Sequence, residues 1–397
     1  MATVHPNTIT YPFSVPDGLE LDDRYLAAQR APGMLKVQLP HGEPTWLATR
    51  YADVRLVLSD PRFSRAEALR RDEPRLSEWR VSNGLLSMDP PDHSRLRKLI
   101  TKAFTMRRVE GLRAQIRQLA NDLVDDMVDD GAPADLVETF ALPLPIAVIC
   151  ELLGVPAQDR RQFRRWSDNW LSTNSRLSQS DMAVSMSEMS AYMADLIAQK
   201  RREPRDDLIT ALIQARDEQD RLNEAELIHM CAGLLVAGHE TTASQISNFV
   251  YTLLDHPDQL AKLRSDQTLL AGAVEELLRF VPLGNGSAFA RYATEDAVVG
   301  DVLVRAGEPV LPALGAANRD AMRFDDAGEL RIERPASPHI GFGYGVHHCV
   351  GAPLARVELQ EALRVLLDRL PGLRLAADVT WKKAMLVRGA ESMPVSW

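Results

Sequence analysis

The chain has 397 residues, 45% of them hydrophobic and 25% charged, with a formal net charge of −9. These values are ordinary for a globular protein and exclude an extensively disordered chain; because no block of Lys and Arg dominates, nucleic acid is not expected as a partner. The three cysteines, Cys150, Cys231 and Cys349, are an odd number, which fits a reducing cytoplasm better than a disulfide framework.

The first part of the chain is predicted to contain little regular structure. Residues 1–40 are expected to form an irregular segment, since prolines interrupt its beginning and no apolar stretch typical of a signal peptide is present. A strand is predicted at 45–49 and a short helix up to Leu58, followed by a long surface connection over 62–88. The apolar run at 230–238 is too short to span a bilayer, so no membrane association is expected.

The helix predicted to begin near Asp92 directs two basic side chains toward the core. At about 100° per residue, His93 and Arg97 share a face with Leu96 and Ile100. Burying basic groups is costly unless anions pair with them. On the residues alone, the preferred interpretation is that both side chains reach the rim of the core or pair with acidic residues.

Helical patterns continue through 111–154 and 159–201, with a short extended piece near Ala134. The longest predicted helix covers 223–255 and begins with a capping box, in which Asn223 is followed three positions later by Glu226. Its central turns are apolar nearly all round, which is typical of a buried helix.

Polar residues interrupt this buried helix at 237–242. Gly238 costs about 1 kcal/mol relative to alanine inside a helix, and a buried Glu240 needs a partner. The pair His239-Glu240 does not form a zinc-protease motif, because Ala243 stands where the second histidine is required. A kinked helix with satisfied side chains remains an alternative.

Glu276 and Arg279 are spaced i, i+3 in a further predicted helix and taken alone would form an ordinary surface ion pair. Residues 290–312 and 373–397 are predicted to form short strands. The segment 342–351, here called the Cys loop, has two glycines and places Cys349 at the start of a helix, where a thiolate is stabilised. Taken alone, the Cys loop could hold a zinc ion or a merely buried cysteine; a dinucleotide fingerprint is excluded because His348 replaces its third glycine.

The Cys loop resembles the haem-binding signature of the cytochromes P-450, the haem-thiolate monooxygenases, through Phe342, Gly343, Gly345, His347, Cys349 and Gly351. This resemblance covers residues 45–397. It implies a mainly α fold with a small β portion, in which residues 1–397 form one catalytic domain and a long central helix lies over haem b, with the Cys loop beneath. Cys349 would be the axial thiolate ligand of the iron, which favours O–O cleavage.

The same resemblance assigns further site residues. Cofactor-binding residues would be Phe342, Gly343 and Gly351 in the Cys loop and, at the haem propionates, His93, Arg97, Arg291 and His347. On the distal side, Gly238 would leave room over the iron, Thr241 would form a hydrogen bond with bound dioxygen, and Glu240 would relay protons, which O–O cleavage consumes. Glu276 and Arg279 would brace the Cys loop. Whether Glu329, Arg331 or Arg334 completes their network is left open.

The implied activity is insertion of one oxygen atom from O2 into a C–H or C=C bond of a small, largely apolar natural-product intermediate. The weakly predicted pocket residues are Leu85, Leu86, Leu234, Leu235, Ala237, Leu283, Asn285, Phe289 and Leu386. Electrons would come from NAD(P)H through a ferredoxin reductase and a ferredoxin, which would dock on a basic stripe of Arg95, Lys98 and Lys102. A cytoplasmic monomer is expected. The alternatives are a peroxide-driven peroxygenase and a non-catalytic haem-binding sensor.

Overall fold

The computed structural model describes residues 8–13, 18–78, 80, 84–101, 104–171, 179–219, 222–284, 289–335, 338–383 and 385–397. Its helices are α1 (Asp23–Arg30), α2 (Tyr51–Ser59), α3 (Asp92–Thr101), α4 (Met106–Asp130), α5 (Pro143–Leu153), α6 (Arg160–Leu171), α7 (Gln179–Arg202), α8 (Leu208–Gln219), α9 (Glu224–Asp255), α10 (Pro257–Ser265), α11 (Leu270–Phe280), α12 (Leu314–Ala317) and α13 (Ala352–Arg369). Among the described residues, no helix combines the length and apolar character needed to cross a bilayer.

The strands are short: β1 (Ile9–Thr10), β2 (Leu35–Gln38), β3 (Thr45–Ala48), β4 (Phe63–Ser64), β5 (Ala134–Asp135), β6 (Arg291–Ala293), β7 (Ala297–Val299), β8 (Val302–Val304), β9 (Pro309–Pro312), β10 (Arg374–Leu375), β11 (Thr380–Trp381), β12 (Ala390–Ser392) and β13 (Pro394–Ser396). The largest sheet has the order β1-β2-β3-β9-β6-β4. Strands β3 and β9 pair in parallel with Leu47 opposite Leu311. The predicted mainly α fold with a small β portion is confirmed.

Helix α9 runs through the core and organises the helical layer. Its predicted capping box is present: the Asn223 side chain accepts from the Glu226 N–H at 2.8 Å, and the Glu226 carboxylate accepts from the Asn223 N–H at 2.9 Å. Most of the helix is buried, and it packs against α5, α7 and α13. Helix α13 begins just after the Cys loop, so α9 packs against the helix that follows this loop.

The N-terminal segment is more regular than predicted. Strand β1, helix α1 and strand β2 all lie before residue 40, so the expectation of an irregular segment over 1–40 is wrong for its described part. Helix α1 begins at a cap that the sequence analysis overlooked, since the Asp22 carboxylate accepts from the Arg24 N–H at 2.9 Å. The β1–β2 pairing is a parallel contact between distant segments, which periodicity does not reveal.

Candidate active site

The Cys loop is held in shape by its glycines and by one backbone hydrogen bond. Gly343 and Gly345 adopt φ values of +76° and +70°, a left-handed region that favours glycine. The Cys349 N–H donates to the Phe342 carbonyl at 2.9 Å. This closed turn presents Cys349 at the start of α13.

Cys349 differs from the other two cysteines in exposure. Cys150 and Cys231 are buried in the core, and burial raises the pKa of each thiol to about 12. Cys349 is exposed. Although part of its surface is accessible, the many protein atoms around Cys349 desolvate the thiol and raise its pKa, while the backbone amides of Gly351 and Ala352 and the Arg97 guanidinium act in the opposite direction. These amides and this cation are suited to a thiolate, as expected of a sulfur that binds a metal.

Four basic side chains from three separate elements gather beside the Cys loop. Helix α3 contributes His93 and Arg97, β6 contributes Arg291, and the loop itself contributes His347. The imidazole rings of His93 and His347 lie 4.3 Å apart between centroids. Arg97 donates to the carbonyl oxygen of His348, which ties α3 to the Cys loop.

The described residues form no ion pair with this basic cluster, although Asp89 and Glu73 lie within electrostatic range of it. Within the described part of the chain, no hydrogen-bond partner reaches either ring nitrogen of His93 or Nε2 of His347. Arg291 is buried and, among the described residues, donates to the Phe289 carbonyl at 3.2 Å; burial and the nearby Arg65 lower its pKa to about 10. Burial, Arg291 and His93 lower the pKa of His347 to about 3. Buried donors of this kind need an anionic acceptor, and the two propionates of a haem fit them.

Helix α9, which the resemblance places over the iron, has a strip that the surrounding helices leave accessible. Ala237 is exposed and Leu234 and Thr241 are half-buried, whereas Leu235 and His239 are fully buried on the other face. The Thr241 hydroxyl donates to the Ala237 carbonyl at 2.8 Å. Because its hydrogen is committed there, the hydroxyl oxygen is available to accept a hydrogen bond from a molecule in the site.

The structure corrects the expected role of Gly238. A Cβ atom at this position would lie 2.7 Å from Cγ1 of Ile149 on α5. The glycine therefore allows α9 and α5 to pack closely, and the expectation that it leaves room over the iron is wrong. Ala237, one residue earlier and four before Thr241, carries the small side chain on the accessible face.

Glu240 has a partner that the sequence analysis did not identify. Its carboxylate is fully buried, and one oxygen pairs with the ammonium group of Lys382. Lys382 lies just after β11 in the hairpin 380–392, here called the C-terminal hairpin, and its Nζ also donates to the Ser244 hydroxyl at 3.2 Å. The second carboxylate oxygen of Glu240 contacts no partner among the described residues. No spacing in the sequence connects positions 240 and 382.

Helix α6 carries a second carboxyl group, Asp168, that interacts electrostatically with Glu240. Burial and the charge of Glu240 raise the pKa of Asp168 from 3.8 to about 6. Arg164, one turn earlier, lies 3.9 Å from the Asp168 carboxylate and donates to Glu138 at 2.7 Å. The side chain of Asp168 is 48% exposed, so solvent reaches one side of this group.

Glu276 and Arg279 form a buried pair, and the surface location considered for them is wrong. Two hydrogen bonds of 2.7 and 2.8 Å join the guanidinium to the carboxylate. Arg334 completes the network, because its Nε lies 3.1 Å from both carboxylate oxygens of Glu276. Arg331 adds only its backbone N–H, and Glu329 only a carbonyl that accepts from Arg279 at 2.9 Å.

The neighbouring Glu275 connects α11 to the Cys loop region. It accepts from His339 at 3.1 Å and from Arg356 of α13 at 2.6 Å. The Arg356 guanidinium in turn lies 4.6 Å from the centre of the Phe342 ring. Tyr344 also gains a structural explanation, since its hydroxyl accepts from Arg55 of α2 at 2.6 Å.

The predicted pocket residues divide into different groups. Leu235 is part of the hydrophobic core, so its assignment to the pocket is wrong. Leu85 lines a cavity of about 270 Å³ together with residues of α3 and α9, while Leu86 is 48% exposed and does not line it. Leu283, Phe289 and Leu386 are half-buried, and Asn285 lies outside the described residues.

The proposed basic docking stripe is also modified. Arg95 donates to Glu226 of α9 at 2.6 Å, so this guanidinium helps to fix α3 on α9. Lys98 is exposed, and Lys102 lies outside the described residues.

Comparison with known proteins identifies relatives along nearly the whole chain. The family model for cytochrome P450 matches residues 158–371. The mycinamicin IV hydroxylase/epoxidase of Micromonospora griseorubida is 53% identical over 390 residues, 98% of each chain. The nocardicin C N-oxygenase of Nocardia uniformis subsp. tsuyamanensis is 48% identical over 396 residues, 98% of this chain and 99% of the relative. The crystal structure of HinD with NMFT and NO has a TM-score of 0.95 at 46% identity, covering 99% of this chain and 100% of HinD.

Proposed function

The chain belongs to the cytochrome P450 family, and from this membership we propose the substrate class, the redox partner and the residues of a haem-thiolate monooxygenase. Members of the family bind haem through a cysteine thiolate and take electrons from redox partners. When bound, haem supplies the reductive activation of O2 and the transfer of one oxygen atom.

We assign Cys349 as the axial ligand. The observation that carries this proposal is the position of its exposed thiol, beside the amides of Gly351 and Ala352 and the guanidinium of Arg97. In that setting the sulfur is stabilised as an anion. The hydrogen bond from the Cys349 N–H to the Phe342 carbonyl fixes the backbone that carries this sulfur. Gly343 allows the turn of the loop, and Gly351 leaves the space beside the Cys349 sulfur free of a side chain.

The basic cluster holds the propionates. His93 and Arg97 approach from α3, and Arg291 and His347 from β6 and the Cys loop. Since none of them forms an ion pair within the described part of the chain, two incoming carboxylates would neutralise a cluster whose desolvation Asp89 and Glu73 offset only in part. Binding of haem should therefore stabilise the fold considerably.

On the distal side, α9 supplies shape and proton handling. Ala237 provides a small surface, the Thr241 hydroxyl offers an acceptor oxygen, and the Glu240 carboxylate keeps one oxygen without a partner in the described structure. These groups accept, hold and pass protons in a site from which most water is excluded. A peroxygenase or a haem sensor has no need of this arrangement, which favours the monooxygenase.

The substrate is a small, largely apolar natural-product intermediate, hydroxylated or epoxidised in a cytoplasmic, monomeric, single-domain enzyme. Two relatives support this class through their names, a mycinamicin IV hydroxylase/epoxidase and a nocardicin C N-oxygenase. Leu234, on the accessible face of α9, and Leu85 supply apolar lining. Electrons arrive from NAD(P)H through a ferredoxin reductase and a ferredoxin.

The reduced protein with carbon monoxide tests the assignment of Cys349. We expect the Soret band of thiolate ligation in the wild-type protein and its loss in Cys349→His, with Cys231→Ala as the control that retains it. An imidazole-type spectrum of the wild type would contradict the proposal. Screening macrolide and peptide compounds for the spin-state shift that accompanies loss of iron-bound water then identifies the substrate class, and turnover with ferredoxin compared with peroxide separates the monooxygenase from the peroxygenase.

A further inference from the structure

Charged groups from two other parts of the chain lie near the Glu240 carboxylate. Lys382 comes from the C-terminal hairpin, and Arg164 and Asp168 come from α6; Arg164 in turn donates to Glu138 in the turn before α5. On its own helix, its neighbour His239 is buried with a lowered pKa, caused mainly by desolvation, so this imidazole is neutral at pH 7. Lys382 is the group that forms an ion pair with Glu240.

Lys382 is placed by a hairpin that is anchored at several points. Its backbone N–H donates to the Gly389 carbonyl at 2.9 Å, across the hairpin. Gly389 lies so close to α9 that a Cβ atom there would be 2.7 Å from the Ser244 hydroxyl oxygen. Asn248 of α9 donates to the Arg388 carbonyl at 3.1 Å. The backbone of the hairpin is therefore held against α9, while the ammonium group itself contacts only side chains among the described residues, those of Glu240 and Ser244.

The ion pair satisfies only half of Glu240. A buried carboxylate without a cation would take up a proton and keep it, because desolvation disfavours its charge. Lys382 offsets that cost at one oxygen. The other oxygen meets no donor among the described residues and can accept a proton.

Asp168 on α6 is partly exposed to solvent and lies within electrostatic range of this buried group. Its side chain is 48% exposed, yet it lies near enough to Glu240 for the two negative charges to oppose each other. Arg164 holds α6 in place here by its bond to Glu138. A carboxyl group that titrates near neutral pH and is partly in water is suited to transfer protons from solvent to a buried carboxylate.

We propose that Lys382 is the positioning residue that keeps Glu240 ionised and oriented, and that Asp168 supplies Glu240 with protons from solvent. The proton leaves the carboxylic acid of Asp168, crosses bridging water and binds the unpaired oxygen of Glu240; the Asp168 carboxylate then takes a replacement from bulk water. Glu240 passes its proton to the Thr241 side of the site. This inference rests on the proposed monooxygenase function.

Infrared difference spectra of the resting holoenzyme test the positioning role without turnover. In Lys382→Met we expect a new carboxylic-acid C=O band that disappears in the double variant Lys382→Met/Glu240→Gln. Lys382→Arg and the neighbouring exposed Lys383→Met should both lack the band. Absence of the band from Lys382→Met would overturn the role of Lys382.

Oxygen consumption driven by NADPH, ferredoxin reductase and ferredoxin, without added substrate, tests the proton supply. We expect Lys382→Met and Asp168→Asn to slow consumption by about tenfold or more and to raise its H2O/D2O rate ratio. Asp168→Glu should restore both quantities, and Asp129→Asn, an exposed carboxylate on α4, should leave them unchanged. Equal rates and equal isotope effects in Asp168→Asn and the wild type would overturn the proposal.

The two proposals fail differently. If the wild-type protein lacked the thiolate Soret band or took no electrons from ferredoxin, the proposed function would be wrong, while the infrared comparison would still report on the ion pair. If the wild type behaved as a monooxygenase and the variants matched it, only the present inference would be wrong. Because Asp168 is half exposed, its variants remain informative even if Lys382→Met destabilises the protein.

Discussion

Two buried glutamates of this protein have opposite kinds of surroundings. Glu276 on α11 accepts from Arg279, from Arg334 and from the backbone N–H of Arg331, so both of its oxygens are occupied. Glu240 on α9 pairs with Lys382 through one oxygen, and its other oxygen has no partner in the described structure. A saturated carboxylate fixes structure, whereas an unsaturated one can accept and release protons.

The largest effect should follow from breaking the saturated network. In Arg279→Met, Glu276 loses a bidentate partner while it remains buried, and breaking such a pair costs about 3–5 kcal/mol. We expect the free energy of unfolding in denaturant to fall by this amount and haem to be retained poorly. Arg331→Met is the matched control, since its side chain is exposed and its pair in the described structure is with Asp326, at 2.8 Å. Equal losses in both variants would contradict the comparison.

Neutralising each glutamate separately sharpens the contrast. Glu240→Gln should lower ferredoxin-supported product formation by about 100-fold, the usual size of a lost proton-transfer group. Its free energy of unfolding should fall by only about 1 kcal/mol, since half-buried Lys382 can turn toward solvent. Glu276→Gln should do the reverse, with a large loss of stability and a normal rate per folded haem. Turnover per haem and denaturant unfolding should be measured for both variants. A stability loss in Glu240→Gln as large as in Glu276→Gln would contradict the contrast between a proton-transfer role for Glu240 and a structural role for Glu276.

Removing the Thr241 hydroxyl, on the same helix as Glu240, should have a smaller effect on product formation. Thr241→Val keeps the shape and removes the oxygen, so product formed per NAD(P)H consumed should fall by about tenfold, with the remainder released as peroxide or water. Thr242→Val, on the adjacent buried position, is the control. If Thr241→Val left the ratio of product to NAD(P)H unchanged, the haem-sensor alternative would gain support.

The parts of the site that sequence could predict are local. The Cys loop is one contiguous pattern, and the shared face of His93 and Leu96 follows from helical periodicity, as the burial of both side chains confirms. The capping box of α9 is likewise a three-residue spacing. Each of these features depends on neighbours along the chain, which the sequence specifies directly.

The parts that could not be predicted depend on packing between distant segments. Glu240 and Lys382 are 142 residues apart, and nothing in either neighbourhood indicates the other. Glycine at 238 was assigned to the correct helix but to the wrong face, because periodicity does not say which neighbour covers each side. The spacing of Glu276 and Arg279 is the same for a surface pair as for a buried one, so only the fold distinguishes them.

Glu275, beside Glu276 on the same helix, offers the finest comparison. Burial would raise its pKa, but hydrogen bonds from His339 and Arg356 outweigh burial and lower the pKa from 4.5 to about 2. A depressed pKa in the folded state stabilises the protein above pH 4.5, and this stabilisation is lost as the pH falls toward 2. Because the side chain is 37% exposed, solvent screening should limit it to about 1 kcal/mol.

We therefore expect Glu275→Gln to lower the free energy of unfolding at pH 7 and to approach the wild-type value only near pH 2, as measured by denaturant unfolding at each pH. Glu333→Gln, which removes an exposed carboxylate paired with Lys262, should differ little from the wild type at either pH. A pH-independent loss in Glu275→Gln would mean that shape, and not charge, connects α11 to Arg356 and the Cys loop. A pH-dependent loss would place Glu275 between the two glutamates compared above, as a partly solvated carboxylate that stabilises the loop only while it is ionised.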